Sequence, residues 1–168
     1  MKIRELKEKD APFMLEWMHD LSVVEPLGRD FMHMKLEDCL NFINSHDAGN
    51  IHLAIADEND EYMGTVSLKN IDKEEGFAEF AITVRKCAMG KGYSSYGMKK
   101  IIEYGLEEIG LNSIYWCVRK TNQRAIRFYD KNHYYRIMGK DVPSAIISLY
   151  DEASLNEFLW YQAINREL

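Results

Sequence analysis

Residues 76–102 read "GFAEFAITVRKCAMGKGYSSYGMKKII". The first nine residues, bounded by Gly76, are rich in β-formers and predict a strand ending near Val84. A turn follows with Gly90 and Gly92 around Lys91, and then a helix from about residue 92 to 110. That helix would bury Met98, Ile101, Ile102, Gly105 and Ile109. A strand, a glycine-containing turn and a helix N-terminus form an anion site. The free N–H groups of the first helical turn converge there, and the helix dipole favours negative charge. Glycine at 90 and 92 removes the Cβ that would keep a phosphate from the backbone. No acidic residue occurs between 85 and 102, although carboxylates are ordinarily welcome in a first helical turn. An external pyrophosphate in that place accounts for their absence. Two familiar nucleotide patterns fail: Gly92 is followed by Tyr93 rather than Lys-Ser/Thr, and Gly90-x-Gly92 leads to Ser95 rather than glycine.

Charge along the chain sharpens the contrast. The 168 residues carry net charge −6, yet residues 85–136 hold 11 bases and 4 acids, whereas residues 1–84 hold 18 acids and 8 bases. A basic centre within an acidic chain suggests a local anionic ligand rather than a nucleic-acid surface. A set of solvated lysines and arginines gives the same count. No run of about 18 apolar residues exists, so no membrane-spanning helix is expected. The N-terminus, "MKIRELKEKDAP", lacks the apolar centre of a secretory signal. Cys39, Cys87 and Cys117 are widely spaced and odd in number, which suits reduced thiols in the cytoplasm. His19, His33, His46, His52 and His133 form no metal-ligand spacing with them, so no metal is expected.

The length suits a single domain over 1–168. Asp10 is placed to cap a helix with Pro12 in its first turn and Phe13, Leu15, Trp17, Met18 and Leu21 on its apolar side. Residues 22–34 read as loop, and Leu36, Cys39, Leu40 and Ile43 predict a helix over 35–45. Strands at 51–57, 61–71 and 76–84, joined by "DEND" and "DKEEG", form an antiparallel meander. A strand is expected at 113–118, a helix from Asn122 to Lys131, and strands at 134–138 and 145–150. Ser154 and Glu157 have capping-box spacing and predict a C-terminal helix carrying Phe158, Leu159, Trp160 and Tyr161. The expected fold is α/β (α+β), with a mixed, mostly antiparallel sheet flanked by helices and an additional C-terminal helix.

Residues 118–137, "VRKTNQRAIRFYDKNHYYRI", add a second motif. Together with the first, the chain resembles the GNAT superfamily of acetyl-CoA-dependent N-acetyltransferases. The resemblance follows the order of elements over about 1–138 and is sharpest from 76 to 135. The family turn Q/R-x-x-G-x-G/A corresponds to Met89-Gly90-Lys91-Gly92-Tyr93-Ser94. The family segment N-x-x-A-[IV]-x-[FL]-Y corresponds to Asn122 through Tyr129. Met89 and Ser94 depart from the pattern without removing a backbone N–H. His133 stands where the family has a glycine. Cys117 occupies a position where some members carry a glutamate.

The resemblance implies that the amides of Met89, Gly90, Lys91, Gly92, Tyr93 and Ser94 hold the pyrophosphate of coenzyme A. It implies that the backbone of Ile82, Thr83 and Val84 pairs with the pantetheine arm as an added strand. Lys91, Arg124 and Arg127 would add phosphate contacts, or be solvated surface. Asn122 would bond the pantetheine, cap its helix, or both. Tyr129 would protonate the departing thiolate, the alternative being a core tyrosine. A phenol of pKa about 10 is a suitable acid for a thiol of pKa about 8.5 or higher. Glu79, mid-strand in "AEFAI", is the candidate base, the alternative being a salt-bridged or solvated glutamate. Cys87 and Cys117 read as incidental thiols rather than acyl carriers.

The implied activity is direct acetyl transfer to a primary amine, with no metal and no membrane or nucleic-acid partner. The rivals are a non-catalytic acyl-CoA sensor and an interaction domain whose C-terminal helix, with Phe158, Leu159, Trp160 and Tyr161, docks a partner; the other reading of those aromatics is core or a homodimer contact. Asp20, Glu25 and Asp30 are placed to attract a cationic acceptor. "LEWMHD" resembles members acting on ribosomal-protein N-termini or nucleotide-linked amino sugars.

Overall fold

The computed structural model describes residues 1–45 and 47–165. In chain order the elements are β1 (Lys2–Glu5), α1 (Ala11–Met18), α2 (Leu21–Val24), α3 (Leu36–Asn44), β2 (Ile51–Ala56), β3 (Tyr62–Asp72) and β4 (Phe77–Val84). They continue with α4 (Tyr93–Glu103), β5 (Ser113–Arg119), α5 (Gln123–Lys131), β6 (Tyr135–Ile137), α6 (Ser144–Ile147) and β7 (Phe158–Ile164). The strands form one sheet in the order β1-β2-β3-β4-β5-β7-β6. Every neighbouring pair is antiparallel except β4–β5, which is parallel. Among the described residues no helix is long and apolar enough to cross a membrane.

Local chemistry explains the meander. The Asp57 carboxylate accepts from the amides of Asn59 and Glu61, and that of Asp72 from Glu74 and Glu75, so each connection closes on an aspartate. The Gly76 carbonyl then accepts from Asn112 and Ser113, tying the start of β5 to the start of β4. Helices α4 and α5 cover one face, packing Met98, Ile101, Ile126 and Tyr129 on Val66, Leu68, Phe80, Ile114 and Trp116. On the other face α1 and α3 cover Ala54 and Tyr62, while Val142 and Ile146 of the α6 segment pack on Phe77, Tyr115 and Trp160.

The C-terminal helix expected from Ser154 and Glu157 is not formed. Those residues lie in a 3₁₀ helix, Glu152–Glu157, and the aromatic run beyond it is β7. β7 inserts between β5 and β6 and pairs with β5 from Ser113↔Ile164 to Arg119↔Phe158. Both faces of the sheet are covered here, so Trp160 is buried on one side and Tyr161 on the other. A strand apolar on both faces looks helical to a periodicity argument. These aromatics therefore belong to the core rather than to a docking helix. The strand expected at 145–150 is instead α6, entered from Pro143.

Three smaller readings also change. Asp10 does not cap α1 with its side chain; its carboxylate accepts from the Lys7 amide and from both Arg4 Nη atoms. Leu21 is 62% exposed, at the start of α2, rather than on the apolar side of α1. The stretch 22–34 is partly helical, containing α2 and a 3₁₀ turn at Glu25–Leu27. His133 adopts φ 60°, so the left-handed backbone that glycine favours is retained by histidine.

Gly97 sets the helix–sheet distance. A Cβ there would lie 2.4 Å from Ile55 Cδ1 and 3.0 Å from Val66 Cγ1, both from fully buried residues. Gly97→Leu is expected to lower stability by about 1–3 kcal/mol through overpacking, measured by urea unfolding.

Candidate active site

The parallel pairing of β4 with β5 lasts three residues: Phe77↔Ser113, Ala78↔Ile114 and Glu79↔Tyr115. Beyond that point β4 stays with β3, through Ile82↔Val66, Thr83↔Thr65 and Val84↔Gly64. β5 stays with β7 up to Arg119↔Phe158. The two central strands therefore part, and the edge of β4 from Phe80 to Val84 that faces β5 has no strand partner among the described residues. Phe80 and Trp116 meet edge to face at 5.5 Å just past the fork. Trp116 Nε1 is buried there and has no hydrogen-bond partner among the described residues. An unpaired strand edge beside an orphaned donor suits an extended ligand rich in amides.

β4 ends in the glycine turn. Gly90 and Gly92 have φ 74° and 86°, and a Cβ at Gly90 would meet nothing within 4 Å. The Met89 and Lys91 amides are satisfied locally, by Lys86 O at 3.2 Å and Ala88 O at 3.3 Å. Among the described residues, the amides of Gly90, Gly92, Tyr93, Ser94 and Ser95 have no partner. They stand at the N-terminus of an eleven-residue helix with no acid in its first turn. Lys91, Arg124 and Arg127 are exposed, and Arg124 reaches across to Met89, with Nη1 2.7 Å from Sδ. Five adjacent or near-adjacent free amides flanked by cations can hold a diphosphate.

Arg85, counted with the basic segment, serves another purpose. It is 7% exposed and forks onto Glu16, with Nε–Oε1 at 3.0 Å and Nη2–Oε2 at 2.9 Å. Its Nη1 donates to Glu61 at 2.6 Å and to the Tyr62 carbonyl, and its guanidinium lies over the Phe13 ring. It locks α1 and the start of β3 to the end of β4, just where the turn begins.

On α5, Asn122 Oδ1 accepts from the Ala125 amide at 3.2 Å, so it caps the helix. Its Nδ2 points to the Pro26 carbonyl at 3.5 Å. Tyr129, two turns on, is 7% exposed and packs on Trp116 and Tyr161, with centroids 5.5 and 5.0 Å away. Its hydroxyl forms no hydrogen bond among the described residues. Burial first, then the nearby Cys117 and Tyr161, pushes the Tyr129 phenol above its ordinary pKa, so at neutral pH it is a proton donor.

Glu79 lies on the opposite face of β4, 4% exposed, at the fork itself. Its Oε2 accepts from Asn70 Nδ2 at 3.0 Å, with Lys69 Nζ at 3.6 Å, and its Oε1 accepts from the Tyr150 hydroxyl. Asn70 and Tyr150 escape sequence reasoning, because nothing in "SLKNI" or "ISLYD" places them opposite Glu79. Two concavities open on this face. One, of about 660 Å³, is lined by Asn70, Asp72, Phe77, Ile146 and Leu149; the other, of about 430 Å³, by Val24, Glu25, Gly28, Asp30 and Met32. Glu25 and Asp30 thus share a pocket wall, whereas Asp20 accepts from Ser22 and pairs with Lys86.

Comparison with known proteins identifies the family and the fold. Residues 1–134 match the acetyltransferase (GNAT) domain. The chain belongs to that family, the N-acetyltransferases that take acetyl from acetyl-CoA and pass it to an amine. It is 26% identical over 137 residues to the uncharacterized N-acetyltransferase p20 of Bacillus licheniformis, covering 76% of this chain and 74% of that protein. It is 34% identical over 71 residues to the spermidine N(1)-acetyltransferase of Escherichia coli K12, covering 42% of this chain and 38% of that one. Spermidine N-acetyltransferase of Vibrio cholerae, solved with CoA and spermine, superposes with a TM-score of 0.73 at 19% identity over 82% of each chain. That last likeness is one of fold.

The thiols provide a check on the site. Burial pushes the Cys117 thiol up to about 11, while Cys87 is exposed. Cys117 is protonated at neutral pH and is no acyl-accepting nucleophile there. A thiol reagent at pH 8 is expected to modify Cys87 rapidly, with Cys39 and Cys117 reacting only on unfolding, read by intact mass. By linkage, the raised Cys117 pKa contributes stability that is full below pH 9 and falls as pH approaches about 11.

Proposed function

We propose that the fork between β4 and β5 and the turn after β4 hold acetyl-CoA, with the acceptor amine entering from the face that carries Glu79. The five partnerless amides from Gly90 to Ser95, continuous with the unpaired β4 edge, carry this reading. Within Met89–Ser94, the free amides of Gly90, Gly92, Tyr93 and Ser94 would receive the diphosphate, Met89 and Lys91 shape the turn, and Lys91 and Arg124 add positive charge. The backbone of Ile82, Thr83 and Val84 would pair with the pantetheine amides. Asn122, already the α5 cap, would have its remaining donor beside the same arm. The thioester supplies the acetyl group. Tyr129 would donate its phenolic proton to the sulfur as the thiolate departs, and Glu79 would be the final acceptor of the amine's proton.

For the acceptor we infer a polyamine-like primary amine. The similarity to a spermidine N(1)-acetyltransferase supports it, as do the Glu25 and Asp30 carboxylates in the pocket wall. The whole of 1–168 would act as one N-acetyltransferase domain, in the cytoplasm, where its three cysteines remain thiols. Self-association fits the dodecameric state of the V. cholerae enzyme. A non-catalytic acyl-CoA sensor would keep the coenzyme site and lose turnover.

Tyr129→Phe is expected to lower kcat about 10²-fold with spermidine as acceptor, while calorimetry gives an unchanged CoA Kd. Binding of CoA without turnover on any polyamine or other primary amine would favour the sensor. Lys91→Glu is expected to raise the CoA Kd about tenfold at low salt and less at high salt, measured by calorimetry. Absence of any heat with CoA would overturn the assignment of the site.

A further inference from the structure

In the reading above Glu79 is the final base, yet it is nearly closed to solvent. It is 4% exposed, and each carboxylate oxygen already accepts a hydrogen bond. Oε2 faces β3, where Asn70 donates to it and Lys69 stands 3.6 Å away. Oε1 receives the hydroxyl of Tyr150. Tyr150 is half-buried and follows α6 directly, its ring edge-on to Phe158 at 5.6 Å and to Trp160 at 5.2 Å. Leu149, its neighbour, and Asn70, the other Glu79 partner, both line the 660 Å³ groove. Asn70 thus joins the groove to one carboxylate oxygen, and the half-buried Tyr150 phenol, beside the groove-lining Leu149, is the proton-bearing group on the other.

Resting on the reading of Glu79 as final base, we propose that Tyr150 is a second catalytic tyrosine, relaying the acceptor's proton to Glu79. The ammonium N–H proton passes to the phenolic oxygen as the phenolic proton passes to Glu79 Oε1. One N–H and one O–H bond break, and two O–H bonds form. The amine becomes neutral, Glu79 becomes a carboxylic acid, and Tyr150 ends with the proton count it began with. No free phenolate is formed, which suits a phenol whose ionisation is opposed by burial first and then by Cys117 and Glu79. The other ionisable groups facing the pair are Lys69 from β3, and Cys117 and Tyr115 from β5. His52 lies beyond Lys69 on β2, its Nδ1 2.7 Å from Ser67 Oγ. Cys117 stays a thiol to about pH 11, so it does not titrate across the assay range.

The test uses two primary amines in the full-length enzyme: spermidine, which is cationic at pH 7.5, and 2,2,2-trifluoroethylamine, which is already neutral. Tyr150→Phe keeps the ring that packs on Phe158 and Trp160, and CoA calorimetry verifies folding of each variant. Tyr150→Leu provides a second variant without the hydroxyl. Loss of the relay is expected to lower kcat/KM for spermidine about 10²-fold at pH 7.5, with recovery as pH rises toward 10. For trifluoroethylamine the loss is expected to be less than about threefold, because that amine needs no deprotonation before attack. Glu79→Gln is expected to show the same selectivity. Equal losses on both amines in the Tyr150 variants, with a selective loss in Glu79→Gln, would overturn the relay and leave Glu79 as base. Non-selective losses in Glu79→Gln would overturn the Glu79 reading and the relay with it.

Discussion

Three residue pairs hold β4 to β5, and then the strands separate. Everything of chemical interest in the chain is arranged around that short pairing. A sheet this size would ordinarily bond its central strands along their full length, since interior backbone without a partner is costly by about 1–3 kcal/mol per group. Here β4 is held instead by β3, and β5 by β7, so each strand is stable without the other beyond Glu79 and Tyr115. The result is a backbone edge in the middle of a rigid sheet. It differs from an outer edge because α4 and α5 cover one face and the α1, α3 and α6 segments the other. A guest strand entering there meets fixed geometry on both sides.

The glycine turn extends the same constraint. Arg85 fastens the end of β4 to α1 and β3 through Glu16, Glu61 and the Tyr62 carbonyl, so the turn starts from a fixed point. From there the left-handed Gly90 and Gly92 turn the amides outward, and α4 departs along the covered face. Charge and shape are thereby separated. Arg85, buried among carboxylates, provides rigidity, and the exposed Lys91, Arg124 and Arg127 provide the positive field. A count of basic residues by segment merges the two roles and overstates the field, since Lys86 and Arg119 also pair with acids outside the segment.

What the sequence reveals follows from what is local. The strand, turn and helix from Phe77 to Glu103 are legible because glycine placement and missing acids are properties of adjacent residues. The Asn122 cap and the Tyr129 position seven residues later are legible for the same reason, through helical spacing. Glu79 stands out as a charge in an apolar strand. Its partners do not, since Asn70 and Tyr150 reach it across the sheet from nine and seventy-one residues away. The aromatic run 158–161 misleads because a strand covered on both faces loses its two-residue period. Only the need of β5 for a second neighbour fixes its structure. Asp10 misleads in a different way: Arg4 offers a bidentate partner that competes with the helix end for its carboxylate.

The placement of the two tyrosines bears on the proposed chemistry as a whole. Tyr129 packs under α5 with Trp116 and Tyr161, and Tyr150 packs under the α6 segment with Phe158 and Trp160, so the sheet lies between them. Acetyl transfer to an ammonium requires one proton to leave the amine and another to reach the sulfur, without the two sites exchanging prematurely. A single group serving both would have to change protonation state at the moment of attack. Two phenols on opposite faces, both kept protonated by burial, meet the requirement with fixed roles. One has no hydroxyl partner among the described residues and is placed to donate, and the other is already bonded to a carboxylate and would pass a proton onward. In the proposed mechanism the fork in the sheet therefore separates the two proton transfers as well as admitting the coenzyme.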